Sequence, residues 1–404
     1  MKSKLTPISE EFELPCGVFI KNRIAKAAMT ERLANWNQQV TEEICSLYKH
    51  WSSNGARLLI TGNIMVDSRY KEASANLVLE NESSISLLRK MVKNGTHNNT
   101  QLWAQINHAG RQSSIFSTFK PIAPSAIQLK KLMLFAKPRA MSVLEINEVE
   151  DRFVRTAFLA KQAGFTGVQI HAAHGYLLSQ FLSPKTNQRK DSYGGCIENR
   201  ARLLLDIVSR LRKELGKEYP ISVKLNSADF QKGGFNEEDA FFVIKKLEEV
   251  KIDLLEISGG TYENIVFLTE RYKKRSTKKR EAYFLEFAKK IRKETKMPIM
   301  VTGGFRSLNF CNRVLENQEL DIIGFARPFL MQENFPKSFM ENKEVRVNDA
   351  TFDFKIKQMK DFAEAGFYDY QIHRLAKNKK LNLSYNPYLA VLRLTMNECL
   401  KGWF

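Results

Sequence analysis

Eight short apolar segments recur along this chain, and between them lie longer stretches whose apolar residues return every three or four positions. The segments fall at residues 23–29, 57–63, 101–106, 166–170, 221–225, 252–257, 299–302 and 321–325. The helical patterns include 148–163, 199–215, 237–249 and 283–294. Short continuous apolar runs read as strands buried on both faces, and such strands pair in parallel. Parallel neighbours need crossover helices, and eight strand–helix units close on themselves. The expected fold is therefore α/β, a TIM (β/α)8 barrel over residues 1–345. Residues 12–20 read as a small N-terminal lid. Residues 112–144 break the rhythm with Pro121, Pro124 and Pro138 and read as a long excursion over the barrel mouth. Residues 346–404 read as a helical extension, rich in Lys and aromatics, packed on the barrel or on a neighbouring subunit.

The fourth segment leads directly into His171-Ala-Ala-His174-Gly-Tyr176. In a TIM barrel the C-terminal end of a strand is where catalysis sits. Two imidazoles there can hold one carbonyl oxygen, and a phenol beside them can supply a proton. A zinc site would need a third protein ligand beyond these two histidines. A lone histidine is often a satisfied structural group, but two of them with a tyrosine at a barrel mouth point to chemistry.

Composition narrows the remaining classes. Hydrophobic residues make up 43% of 404, enough for a sizeable core, and no apolar run is long enough to cross a bilayer. The start, Met1-Lys-Ser-Lys-Leu5, has no apolar region after its charges, so a cytoplasmic protein is expected. The five cysteines are scattered without C-x-x-C spacing, which favours reduced thiols over a disulfide frame or an iron–sulfur cluster. The net charge is +19, with the strongest basic run at 271–280. Charge runs are usually solvated loops, and no nucleic-acid motif accompanies this one, so no nucleic-acid partner is expected. A basic surface would still draw in phosphorylated ligands.

Several further residues fall in an ordered set. These are Asn22-Arg23-Ile24 with Ala28-Met29-Thr30, Gln105 with His108-Ala-Gly-Arg111, the His171–Pro184 run, Asn187 to Asp191 with Tyr193-Gly-Gly195, Glu198-Asn-Arg200, and Gly324 with Arg327-Pro328. From about Leu14 to Leu330 this set resembles the old yellow enzyme family, the FMN-dependent ene-reductases also called NADH:flavin oxidoreductases. The resemblance implies FMN as cofactor and NADH or NADPH as reductant. The implied reaction reduces the C=C bond of α,β-unsaturated carbonyl compounds, with no membrane partner. A homo-oligomer is left open.

Roles follow from the resemblance one position at a time. Ala27, Ala28, Met29 and Thr30 would meet the flavin ring, with a Thr30 hydroxyl tuning its potential. Gly62 would let the ring approach closely. Gln105 would bond the pyrimidine edge, and Lys224 would face the locus where reduced flavin carries its charge. Lys224 lies inside the apolar stretch Val223-Lys224-Leu225, where a charge needs a partner. Gly303 and Gly304, with Ala326 and Arg327, would form the phosphate site after the last two strands. His171 and His174 would hold the substrate oxygen and Tyr176 would protonate the α-carbon. Arg32 stands where some relatives have Tyr, which alters the pocket wall and makes an anionic substrate one option. Ala28 replaces a common Pro. Dihydrouridine synthases, the alternative, also resemble FMN barrels and would suit a basic chain. They are expected to use a cysteine acid, whereas the acid position here is Tyr176.

Overall fold

The computed structural model describes residues 6–130, 133–261, 277–341, 350 and 357–402. Its strands are β1 (Phe12–Glu13), β2 (Phe19–Ile20), β3 (Ile24–Lys26), β4 (Leu58–Met65), β5 (Leu77–Val78), β6 (Gln101–Asn107), β7 (Ile122–Ala123), β8 (Arg139–Ala140), β9 (Gly167–Ala172), β10 (Ile221–Asn226), β11 (Leu254–Ser258), β12 (Ile299–Thr302) and β13 (Ile322–Phe325). The helices are α1 (Glu42–Ser53), α2 (Ile85–Gly95), α3 (Val143–Gln162), α4 (Leu177–Leu182), α5 (Ile197–Leu215), α6 (Glu237–Glu249), α7 (Thr277–Arg292), α8 (Leu308–Glu316), α9 (Phe335–Met340), α10 (Lys357–Ala376) and α11 (Pro387–Gly402).

Eight of the strands form a closed parallel ring in the order β3, β4, β6, β9, β10, β11, β12, β13 and back to β3. This is the TIM barrel that the eight apolar segments predict. The strand residues are almost all buried, as expected for strands covered by helices outside and by one another within. β5 adds a ninth strand beside β4, outside the ring. The hairpin β1–β2 closes the N-terminal end, where Leu14 and Ile20 pack against Ala25, Leu58, Leu254 and Ile322. The mouth at the other end therefore stays available for ligands.

Several element boundaries differ from the sequence reading by a few residues, and two of them have a clear local reason. β3 ends at Lys26 rather than at residue 29. Only the amide of Ala27 still pairs, with the Phe325 carbonyl at 2.8 Å, and Ala28 to Thr30 then line the mouth. α3 starts at Val143, five residues before its apolar pattern, because Ser142 and Glu145 form a reciprocal capping box.

After the barrel, α10 and α11 pack together, and α10 lies against α1. Tyr370 and Tyr385 stack with ring centroids 3.6 Å apart, and Phe367 is fully buried. Trp403 and the expected boundary at 345/346 lie outside the described residues, as does the basic run as far as 276. No helix among the described residues is long and apolar enough to cross a membrane.

Candidate active site

A cavity of about 510 Å³ opens at the C-terminal end of the barrel strands, a size ordinary for ligand pockets, which run to roughly 300–1,000 Å³. Its wall includes Ala28, Met29, Thr30, Arg32, Gln105, His171, His174, Tyr176, Lys224, Gly303, Gly304, Ala326 and Arg327. Thirteen residues singled out in the sequence, spread from 28 to 327, thus meet around one space. Two do not reach it. Ala27 is buried behind the wall. Gly62 serves its own chain: an added Cβ would meet the Glu31 carboxylate at 2.1 Å and the Met29 carbonyl at 2.4 Å. The Gly62 amide donates to Glu31 Oε1 at 2.8 Å.

β9 delivers the imidazole pair. His171 is its fifth residue, and His174 follows in a left-handed conformation (φ 62°) that few side chains adopt. The His174 amide donates to Asn226 Oδ1 at 3.2 Å, and its Nε2 lies 2.7 Å from Ser258 Oγ. These bonds from the ends of β10 and β11 hold the strained residue in place. The two imidazoles meet edge to face with centroids 5.0 Å apart, and Tyr176 meets His171 the same way at 4.8 Å. His171 Nδ1 accepts the Ala173 amide at 3.2 Å, which puts the ring proton on Nε2. Burial, with help from His174 and then Lys224, holds the His171 pKa well below the usual range. Burial and Lys224 do the same to His174. Both rings are neutral near pH 7. The Tyr176 hydroxyl donates to Glu72, whose other oxygen accepts Thr30 Oγ1 at 2.5 Å.

The partner demanded by Lys224 is Glu256, directly opposite on β11, at 2.9 Å. Gln169 Nε2 and Thr302 Oγ1 also donate to Glu256, at 2.8 and 2.6 Å. A buried ion pair survives when its remaining lone pairs are used in this way. Gln105 Nε2 donates to Gln169 Oε1 at 2.7 Å, so one polar layer crosses the barrel. Lys26 lies below it, its Nζ donating to the Ile60 carbonyl at 2.7 Å, and burial lowers its pKa to about 8.

Sequence reading missed Asn63, Glu72, Ser258 and Glu398, all on the cavity wall. Asn63 is the last residue of its expected strand and Ser258 follows directly on the end of another, which was a usable signal. Glu72 and Glu398 carried none, since the first lies in a loop and the second on α11. Among the described residues no group of three His, Cys, Asp or Glu side chains forms a metal site.

Comparisons with known proteins agree with this geometry. Residues 16–345 match the model of the NADH:flavin oxidoreductase / NADH oxidase family. The NADH-dependent flavin oxidoreductase iliE of Hypocrea jecorina (strain QM6a) is 34% identical over 364 residues, covering 84% of this chain and 90% of that protein. Among solved structures, a 2-naphthoyl-CoA reductase in complex with 2-naphthoyl-CoA superimposes with TM-score 0.78 at 25% identity. That match covers 83% of this chain and 52% of the reductase, so the present chain spans about half its length. The old yellow enzyme homologue from Zymomonas mobilis gives TM-score 0.71 at 24% identity, covering 88% of this chain and 98% of that one, and bears on the fold. The chain belongs to the NADH:flavin oxidoreductase family, the old yellow enzymes, with FMN as cofactor and NADH or NADPH as reductant.

Proposed function

We propose that this chain is an ene-reductase, passing reducing equivalents from NADH or NADPH through FMN to the C=C bond of α,β-unsaturated carbonyl compounds. The observation that carries this reading is the pair of neutral imidazoles, His171 and His174, meeting Tyr176 in one cavity with Thr30 and Lys224.

The wall suits FMN. Asn63 Oδ1 is buried with no hydrogen-bond partner among the described residues, so an acceptor awaits a donor at the cavity. Gly303 has φ 114° and nothing within 4 Å of where its Cβ would stand, which leaves the backbone beside the cavity open to a close neighbour. In this reading Ala28, Met29, Thr30, Gln105 and Lys224 hold the ring, while Gly303, Gly304, Ala326 and Arg327 hold the phosphate. Bound FMN supplies two-electron chemistry, accepting a hydride equivalent from the nicotinamide and giving it to the substrate. The residues do the rest. The Nε2–H of His171, with His174, holds the substrate oxygen and stabilises the negative charge that builds on it as the C=C bond is reduced. Tyr176 delivers the proton to the α-carbon as general acid. Lys224, fixed by Glu256, keeps a positive charge in the barrel centre where the reduced cofactor carries negative charge.

The test is an anaerobic visible spectrum of the purified protein, reduced with NADPH and then mixed with 2-cyclohexenone. Bleaching followed by recovery of the yellow band is the expected result. A flavin that bleaches and stays reduced would move the reaction to another oxidant.

A further inference from the structure

The charges on the cavity wall come with partners, and two of those partners belong to the helices that follow the barrel. Lys224 has Glu256 from the barrel itself. Arg327 has Glu364 of α10 at 3.1 Å, and Arg32 has Glu398 of α11 at 2.9 Å. Glu398 is held at several points. Its Oε1 accepts Arg32 Nε, its Oε2 accepts the Ser74 amide at 2.8 Å, and its carbonyl accepts Ser74 Oγ at 2.8 Å. One turn on, Lys401 Nζ donates to the Ala34 carbonyl at 2.9 Å, and a Cβ on Gly402 would strike Phe116 at 2.6 Å. The end of α11 is thus keyed into the loops after β3, β4 and β6.

Arg32 adopts φ 53°, a backbone conformation that costs an arginine energy unless the surroundings fix it. Its side chain is about a quarter exposed, and that of Glu398 about a seventh. A pair so placed is partly desolvated, so removing one partner leaves the other's charge acting on the cavity. From sequence alone Arg32 either suggests an anionic substrate or points to solvent. With Glu398 in place that suggestion reverses, because a substrate carboxylate at Arg32 would meet a fixed carboxylate behind it.

We propose that Glu398 sets the charge class of the substrate: by holding Arg32 it makes the cavity select uncharged carbonyl compounds over carboxylates. Glu398 is a specificity-determining residue supplied by the C-terminal helices, and the substrate it admits is a neutral enone. This rests on the ene-reductase reading for the identity of the ligand, but the charge selection itself can be read without turnover.

The experiment is calorimetric titration of the FMN-loaded protein with benzamide and with benzoate, two ligands alike in shape that differ in charge. The wild type is expected to favour benzamide. In Glu398→Gln the benzoate-to-benzamide affinity ratio should rise at least tenfold. The double variant Arg32→Gln/Glu398→Gln should bring it back to near the wild-type value. An unchanged ratio in Glu398→Gln overturns the proposal, and so does a double variant that keeps the raised ratio. Ser74→Ala loosens α11 while leaving the charge pair intact. If it raises the ratio as much as Glu398→Gln, the effect is looseness rather than charge and the proposal fails. Because binding is the readout, failure of enone turnover in the spectral test would leave this result standing or falling on its own.

Discussion

At the scale of single residues, Tyr176 makes the sharpest demand. It touches His171 and donates to Glu72, so its hydroxyl is held beside the imidazoles. Tyr176→Phe should slow reoxidation by 2-cyclohexenone by roughly 10²–10⁴-fold, the range for loss of a general acid. Reduction by NADPH should keep its rate. Stopped-flow measurement of the two half-reactions separates them, and equal losses in both would remove Tyr176 from this role. His171, His174 and Tyr176 were readable because they cluster at the end of one strand with little chain between them. Glu72 and Glu398 were not, since each reaches the site through tertiary packing. A carboxylate in a loop or on an exposed helix looks the same whether it faces solvent or a cavity. Lys224 is an intermediate case. Its apolar neighbours showed that it needed a partner, but only the strand register shows that Glu256 is the one.

At the scale of elements, the barrel was legible because fully buried strands are short apolar runs and their spacing repeats. Strand ends were less so, because the chain leaves the ladder where the mouth requires it, as after Lys26. Two glycines, Gly62 inside β4 and Gly303 just past β12, fail for different reasons when replaced. Gly62→Ala puts a methyl against the Glu31 carboxylate and Met29 carbonyl, a backbone-side overlap that should cost about 1–3 kcal/mol. Gly303→Ala meets no atom, but its φ of 114° is foreign to alanine, and a cost of about 1–3 kcal/mol is expected from the backbone alone. Urea unfolding of both apoproteins reads these costs. The Gly62 loss should shrink when Glu31→Ala is added, while the Gly303 loss should not respond to it. A Gly303 loss that did respond would show that the two sites share one cause.

For the whole molecule, five of the six histidines, His50, His108, His171, His174 and His373, have pKa values lowered by burial. His108 falls to about 4 and His373 to about 3. The unfolded chain takes up these protons first, near pH 6.5, so stability is intact above that pH and falls as the pH drops toward the folded values. Each histidine contributes up to about 1.4 kcal/mol per pH unit. Burial raises Asp369 to about 6, so this group takes up its proton earlier in the folded state and opposes one histidine over the same window. A net fall of several kcal/mol between pH 6.5 and 5 is expected in urea titrations, and a flat profile would contradict buried neutral imidazoles. The seating of α11 has a consequence in time as well as in space. A ribosome adding roughly 5–20 residues per second reaches Pro387 about 3–12 s after it has finished the last barrel strand at Phe325. During that interval the nascent barrel has all its strands but lacks the part of the cavity wall that α11 supplies, Leu394, Thr395 and Glu398.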